Sequence, residues 1–233
     1  MKYFFLTISL ILAVHFVDAQ QILLEENVDY YDEEPEIGPN RKIFYHFYMS
    51  GGLSFGLSAQ SKSPVSPWLS SYVDYGFRYK RKLSEFYSLG VESFLSNKNF
   101  RLADKDRRTF PDERHYDREM VHLLTYGLGF YNRFNFGKRG NYIGNFLDLG
   151  VYGDWIFLSR YYYEDEYNDN QSRRISQYSP HYLKSLKYGV LARVGFNNIV
   201  VFGQYRLSEL IDPNTGYEDL PLLTVGFQIG FHK

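Results

Sequence analysis

The stretch Leu223-Thr224-Val225-Gly226-Phe227-Gln228-Ile229-Gly230-Phe231 decides the fold. Its odd positions are all large and apolar, and its even positions are Thr, Gly, Gln and Gly. Successive side chains of a β-strand point to opposite faces, so this is a strand with one apolar face and one small or polar face.

Working outward from it, the same period of two recurs in seven more segments. The first sets Met49, Leu53, Phe55 and Leu57 against Ser50, Gly52, Ser54, Gly56 and Ser58. The second sets Val73, Tyr75, Phe77 and Tyr79 against Asp74, Gly76, Arg78 and Lys80. In the third, Tyr87, Leu89, Val91 and Leu95 oppose Ser88, Gly90 and Glu92. The fourth opposes Leu124, Tyr126, Leu128, Phe130 and Phe134 to Thr125, Gly127, Gly129, Tyr131 and Arg133. The fifth has Leu147, Leu149, Val151, Trp155 and Phe157 on one face and Asp148, Gly150, Tyr152 and Asp154 on the other. The sixth pairs Leu186, Tyr188, Val190, Ala192, Val194 and Phe196 with Lys187, Gly189, Arg193 and Gly195. The seventh, over 199–208, is less regular but puts Gln204 and Arg206 on a common face. A soluble sandwich or barrel would have to bury the apolar faces and expose the others. A face of Gly, Ser, Thr and charged residues encloses no soluble core, so the apolar face is the one turned outward, to lipid.

The connections agree. Those after the second, fourth and sixth segments are short (80–85, 137–141 and 197–198). Those after the first, third, fifth and seventh are long (60–70, 97–118, 161–181 and 209–220). Short periplasmic turns alternating with long external loops, both termini inside, is the arrangement of outer-membrane barrels, and it requires an even strand count. In hydrocarbon an open sheet edge leaves N–H and C=O groups unsatisfied, so the first segment must pair with the eighth.

Composition fits. Aromatic residues are 19% of the chain, with 23 Tyr and 20 Phe, while the mean hydropathy is only −0.39. That combination suits a barrel with aromatic girdles and a polar interior. Cysteine is absent, which excludes disulfides, thiolate catalysis and thiolate metal sites. At the N-terminus, Lys2 precedes an apolar run over 3–14, and Val17-Asp18-Ala19 presents small residues to a signal peptidase. The run is shorter than the roughly 20 residues of a spanning helix. The segment 25–36 then carries seven carboxylates and no base, as solvated tails do. From Arg41 onward the balance reverses, 25 basic against 19 acidic residues.

The expected fold is therefore all-β: an eight-stranded antiparallel up-and-down transmembrane β-barrel over residues 43–233, after a signal peptide at 1–19 and an acidic periplasmic tail at 20–42. In kind, the run from Asn141 through Asp148-Leu149-Gly150-Val151-Tyr152, and the ending Leu220-Pro221-Leu222-Leu223-Thr224-Val225-Gly226-Phe227, resemble strands of the PorT-like and OmpA-like outer-membrane barrels of Gram-negative bacteria. The signal sequence ending in Ala19-Gln20 resembles those of the Bacteroidota. The resemblance implies a small barrel of the cell outer membrane and no one activity. The chain departs from the family habit in ending Phe231-His232-Lys233, without a terminal aromatic residue.

Counting residues from the short turns puts Asp74, Glu92, Asp148, Lys187 and Arg206 near mid-height. It puts Arg78, Arg133 and Arg193 nearer the periplasmic mouth, without carboxylates beside them. Together with Asp154 these form the expected lumen charge network, a structural, salt-bridged filling. A proton or ion path through the same residues is the alternative. For catalysis the candidates are His122, outward near the external interface, with Ser93 or Ser159 on neighbouring strands. No outward carboxylate orients His122, so no catalytic site is expected. The run Glu164-Asp165-Glu166-Tyr167-Asn168-Asp169-Asn170 lacks the glycine and spacing of a calcium loop, and no metal or cofactor is expected. The loop 97–118 mixes bases with Phe100, Phe110 and Tyr116; its expected contacts are lipopolysaccharide phosphates or another envelope protein, not nucleic acid. The expected function is a non-enzymatic structural, assembly or interaction component of the envelope, associated in one version with secretion. Partners are outer-membrane lipid and lipopolysaccharide, or another envelope protein through the external loops or the acidic tail. The alternatives are small-solute or ion transport and outer-leaflet lipid modification.

Overall fold

The computed structural model describes residues 37–55, 65–102, 116, 118–137, 140, 142–167, 171–215 and 219–231. The expected signal peptide, the seven tail carboxylates, positions 56–58 of the first segment and parts of all four long loops lie outside the described residues.

Among the described residues nine strands form one antiparallel sheet: β1 Ile43–Phe55, β2 Ser71–Lys82, β3 Tyr87–Arg101, β4 Arg118–Phe136, β5 Asn145–Tyr167, β6 Gln171–Tyr178, β7 Leu186–Phe196, β8 Ile199–Arg206 and β9 Leu223–Phe231. Each strand pairs with the next, except that β5 pairs with β7 along its first half and with β6 along its second. The ring closes where β1 pairs with β9, from Phe47 opposite Phe231 to Phe55 opposite Leu223. Eight strands therefore make the barrel, and β6 is a ninth, added above β7 as the return arm of a hairpin. The sequence assigns 161–181 to a loop. In fact β5 runs to Tyr167, and 171–178 pair back on it without a break in register.

Two further strand ends expected as loop extend as well. β3 reaches Arg101 and β4 starts at Arg118, so Lys98, Phe100, Arg101 and Arg118 belong to strands. β4 has 19 residues and β5 has 23, against the roughly 9–11 that cross a bilayer at a tilt of about 45°. The excess lies at the end of the barrel carrying the long loops, and there the two faces exchange polarity. Along β4 the inward residues run Arg133, Tyr131, Gly129, Gly127 and Thr125, then Leu123 and Val121, both fully buried. The outward ones run Phe134, Asn132, Phe130, Leu128, Tyr126 and Leu124, then His122, Met120 and Arg118. β3 does the same, with inward Phe100 replacing inward charge and outward Asn97, Asn99 and Arg101 replacing Val91 and Leu95. Below this line the barrel is apolar outside; above it, the wall has the polarity of a soluble sheet.

A bulge sits on that line. Leu124 pairs with Leu158 and Thr125 with Ile156, so Phe157 is an extra residue in β5. It turns Ser159 and Tyr161 inward, where continuing the alternation from Asp154 would point them out.

At the opposite, turn end, residues 37–42 are not a solvated tail. Ile37 bridges Ile43, the Gly38 N–H donates to the Ile43 carbonyl at 2.9 Å, and Pro39 is buried. Lys80 and Lys82 donate to the carbonyls of Pro39 and Asn40, and the Asn40 amide donates to the Gly140 carbonyl at 2.6 Å. The segment lies across the barrel's mouth.

Candidate functional site

Among the described residues the lumen is lined by buried side chains, and inward aromatic rings are prominent among them. Each of five rings lies over a glycine directly opposite it on the next strand. Tyr48 covers Gly76, Tyr131 covers Gly90, Phe94 covers Gly127, Tyr152 covers Gly189 and Phe146 covers Gly195. A Cβ on any of these glycines would fall within 2.9 Å of the ring that covers it. The inward glycines, read from sequence as part of a small-residue face, are the seats of these rings.

Among the rings sit the charges. Arg78 donates through Nε and Nη2 to Glu92 Oε2, at 3.0 and 2.9 Å, and Arg193 donates to the other oxygen of Glu92. Arg133 grips Asp148 in a two-bond fork at 2.7 and 2.8 Å, with Arg193 also 3.9 Å from Asp148. Cation–π contacts knit the same group together: Arg133 lies 3.5 Å from the Phe146 ring and Arg78 4.5 Å from the Tyr48 ring. The three arginines expected to lack carboxylates are thus the best paired cations in the barrel. The error lies in the turn centres. Arg78 and Glu92 are direct cross-strand partners equidistant from residue 85, whereas a turn at 80–85 separates them in height; Arg133 and Asp148 are misplaced in the same way.

A second cluster lies nearer the loop end. Asp154 accepts from Lys187 at 3.0 Å and from the Thr125 hydroxyl at 3.1 Å, with Lys98 at 3.7 Å. Lys98 was not legible as a lumen residue, because the sequence pattern ends the third strand too early. Arg206 stands higher, bound to Asp219 at 2.9 Å and to the Leu220 carbonyl at 2.8 Å. Asp74 differs from the others. Tyr72 donates to it, but among the described residues no cation pairs with it.

Apolar matter closes the loop end. Phe100, Leu102, Val121, Leu123, Ile156 and Tyr161 form the wall of a buried cluster, filled by Val65, Tyr182, Leu210, Ile211 and Leu220 from the connections. A single carboxylate anchors the filling: Asp219 takes Arg206 on one oxygen and the N–H groups of Leu210, Ile211 and Leu220 on the other. The sequence gives no sign of this cap, since its residues lie in stretches that read as loops.

The catalytic candidates are not assembled. His122 faces outward and its Nε2 lies 3.0 Å from Asn97 Oδ1. Ser159 is turned inward by the bulge, and Ser93 pairs with Leu128, well down the strand from His122. Of the acidic run at 164–170, Glu164 is bound by Arg174 and Tyr162, at 2.8 and 3.2 Å, and belongs to the β5–β6 hairpin.

A ring of eight antiparallel strands, apolar outside and packed with paired charges inside, defines a β-barrel of the transmembrane class. The chain matches no protein-family profile and no curated protein sequence. Among solved structures, the crystal structure of Ail, the attachment invasion locus protein of Yersinia pestis, in complex with the heparin analogue sucrose octasulfate, is similar to it. The two share 13% identity at a TM-score of 0.30, over 81% of this chain and 92% of that one.

Proposed function

We propose that this chain is a non-enzymatic integral protein of the outer membrane, a closed barrel that serves the envelope as a structural, assembly or interaction component. On this reading residues 1–19 are the export signal, 20–42 lie on the periplasmic side and 43–233 form the barrel. One observation carries it: among the described residues, the apolar belt encloses a lumen occupied by residues 37–42 at one end, paired charge in the middle and an apolar cluster at the other. The belt is the feature a bilayer requires. Exposed Phe47, Leu128 and Phe227 stand in it, with Phe86, Phe136 and Phe196 toward one rim and Tyr126 and Trp155 toward the other. The filling is the feature transport does not want. The charge network of Asp74, Arg78, Glu92, Arg133, Asp148, Asp154, Lys187, Arg193 and Arg206 then has a structural role. A secretion-associated role is the finer version of this reading.

The test has two parts. The protein is expected in the outer-membrane fraction, with a gel mobility that shifts on heating, and purified barrel is expected to give no unitary conductance in planar bilayers. Discrete ion channels would favour the transport alternative. A changed acyl pattern of outer-leaflet lipid in a deletion strain would favour lipid modification. Either result would displace this reading.

A further inference from the structure

Inside the barrel each arginine is matched by a carboxylate. Outside, on the upper wall of β3, β4 and β5, that rule does not hold. Cross-strand partners share a face, so the outward rows above the polarity line can be read from the register. One row holds Asn99, His122, Arg160 and Tyr178; the next holds Arg101, Met120 and Tyr162; the last holds Arg118, Glu164 and Arg174. Glu164 is the one carboxylate in these rows, and Arg174 and Tyr162 already occupy it, with Arg118 at 4.0 Å. Neither Arg101 nor Arg160 has an ion-pair partner among the described residues, and Arg160 Nε makes no hydrogen bond. The Arg160 guanidinium instead lies 5.7 Å from the Tyr162 ring. A cleft of about 250 Å³ opens among Arg101, Arg118, Tyr162, Glu164 and Arg174, with Glu119 and Met120 at its back.

Position gives this excess charge its meaning. The rows begin two to four residues above Leu95, Leu124 and Leu158, the last apolar residues of the belt on the same three strands. Guanidinium groups at that height, beside tyrosines, stand where the headgroups of the outer leaflet lie. Planar guanidinium forks match phosphate oxygens, and a site at the rim of hydrocarbon strengthens such bonds relative to water.

We propose that the outward wall of β3, β4 and β5 above the belt is a binding surface for the phosphate groups of outer-leaflet glycolipid, with Arg101 and Arg160 as the principal contacts and Arg118 at the edge of the cleft. The inference rests on the outer-membrane reading above and adds to it a specific lipid and its site. Because Arg101 and Arg160 have no carboxylate partner among the described residues, their replacement removes charge and strands no buried partner there.

The test uses purified, folded barrel in neutral phosphatidylcholine nanodiscs doped with bis-phosphorylated lipid A or with its dephosphorylated form, and native mass spectrometry counts the lipid retained. Wild type is expected to keep the phosphorylated lipid in preference to the other. R101Q/R160Q is expected to lose that preference by about tenfold or more, at roughly fivefold per basic residue at an anionic surface. R101K/R160K should keep most of it. R81Q, at the opposite end of the barrel, should match wild type. The heat shift on gels is expected to be unchanged in all four. Retention of phosphorylated lipid undiminished in R101Q/R160Q overturns the site, as does equal retention of the dephosphorylated lipid. Inorganic phosphate that binds in detergent with the same arginine dependence, with no advantage for lipid A, overturns the lipid assignment. These results differ from failure of the underlying reading, in which wild type itself neither inserts nor shifts on heating.

Discussion

Glu92 carries more of the interior than any other single residue, because two arginines from different strands share its two oxygens. Glu92→Gln leaves Arg78 and Arg193 buried with less than half their counter-charge. Breaking a buried pair from one side costs about 3–5 kcal/mol, most of it the penalty of the stranded partner. Asp74→Asn is expected to cost far less, since no cation among the described residues pairs with Asp74 and Tyr72 still finds an acceptor. Urea midpoints of the two variants in detergent measure the difference, and equal midpoints would contradict the pairing. The glycine seats make a second comparison. A Cβ at Gly195 would sit 2.1 Å from the Phe146 ring, which Arg133 holds from the other side, whereas one at Gly203 meets nothing within 4 Å. Gly195→Val is therefore expected to destabilise by about 1–3 kcal/mol through overpacking, and Gly203→Val to be near neutral. At this scale alternation made the inward positions of Glu92 and Gly195 legible. What each one touches was not, because contact depends on register, and register depends on turn centres, two of which the sequence placed too early in the chain.

Among the elements, the cap and the β5–β6 hairpin are the parts that pattern reading missed, and for one physical reason. Alternation persists into them, but with its polarity exchanged: Phe100, Val121 and Leu123 face in while Asn99, His122 and Arg118 face out. A search for apolar residues on the lipid side takes that exchange for the end of the strand. The bulge at Phe157 adds a change of phase. The cap hangs on Asp219, so Asp219→Ala is expected to release the amides of Leu210, Ile211 and Leu220 to fast hydrogen exchange while those of β7 and β8 stay protected. Slow exchange at all three would mean that apolar packing alone holds the plug. In the hairpin, Glu164 is held below its ordinary carboxylate value, first by the hydrogen bond from Arg174, against an opposing push from desolvation. A depressed folded value stabilises the paired form above the unfolded value and loses that contribution as pH falls through the folded one. The β6 amides are thus expected to keep their protection from neutral pH down past the ordinary Glu value of 4.5 and to lose it only below that. Arg174→Gln should move the loss to higher pH.

For the whole molecule, the decisive quantity is where the bilayer begins, and the polarity exchange fixes it to within a residue or two on each of three strands. The ring of eight and its inside-out character were legible because every one of the eight strands repeats the same two-residue period, and errors at single positions do not alter so redundant a signal. The height of the wall above the membrane was not legible, since strand length there is set by packing against the plug. Two substitutions on the same outward face of β4 test the boundary. Leu128, 59% exposed, lies in the belt; Met120 lies eight residues further along, above the line. An arginine at the midplane of a lipid-facing strand costs roughly 2–4 kcal/mol, and one near the interface about 0–1. Leu128→Arg is therefore expected to lower the folded fraction sharply in bilayers, and Met120→Arg to leave it almost unchanged. In a detergent micelle, whose boundary follows the protein, the gap between the two should narrow. Equal costs in bilayers would mean that the apolar belt continues past Met120 and that His122 and the arginines around it are buried in hydrocarbon. Nothing in their unpaired charge could sustain that.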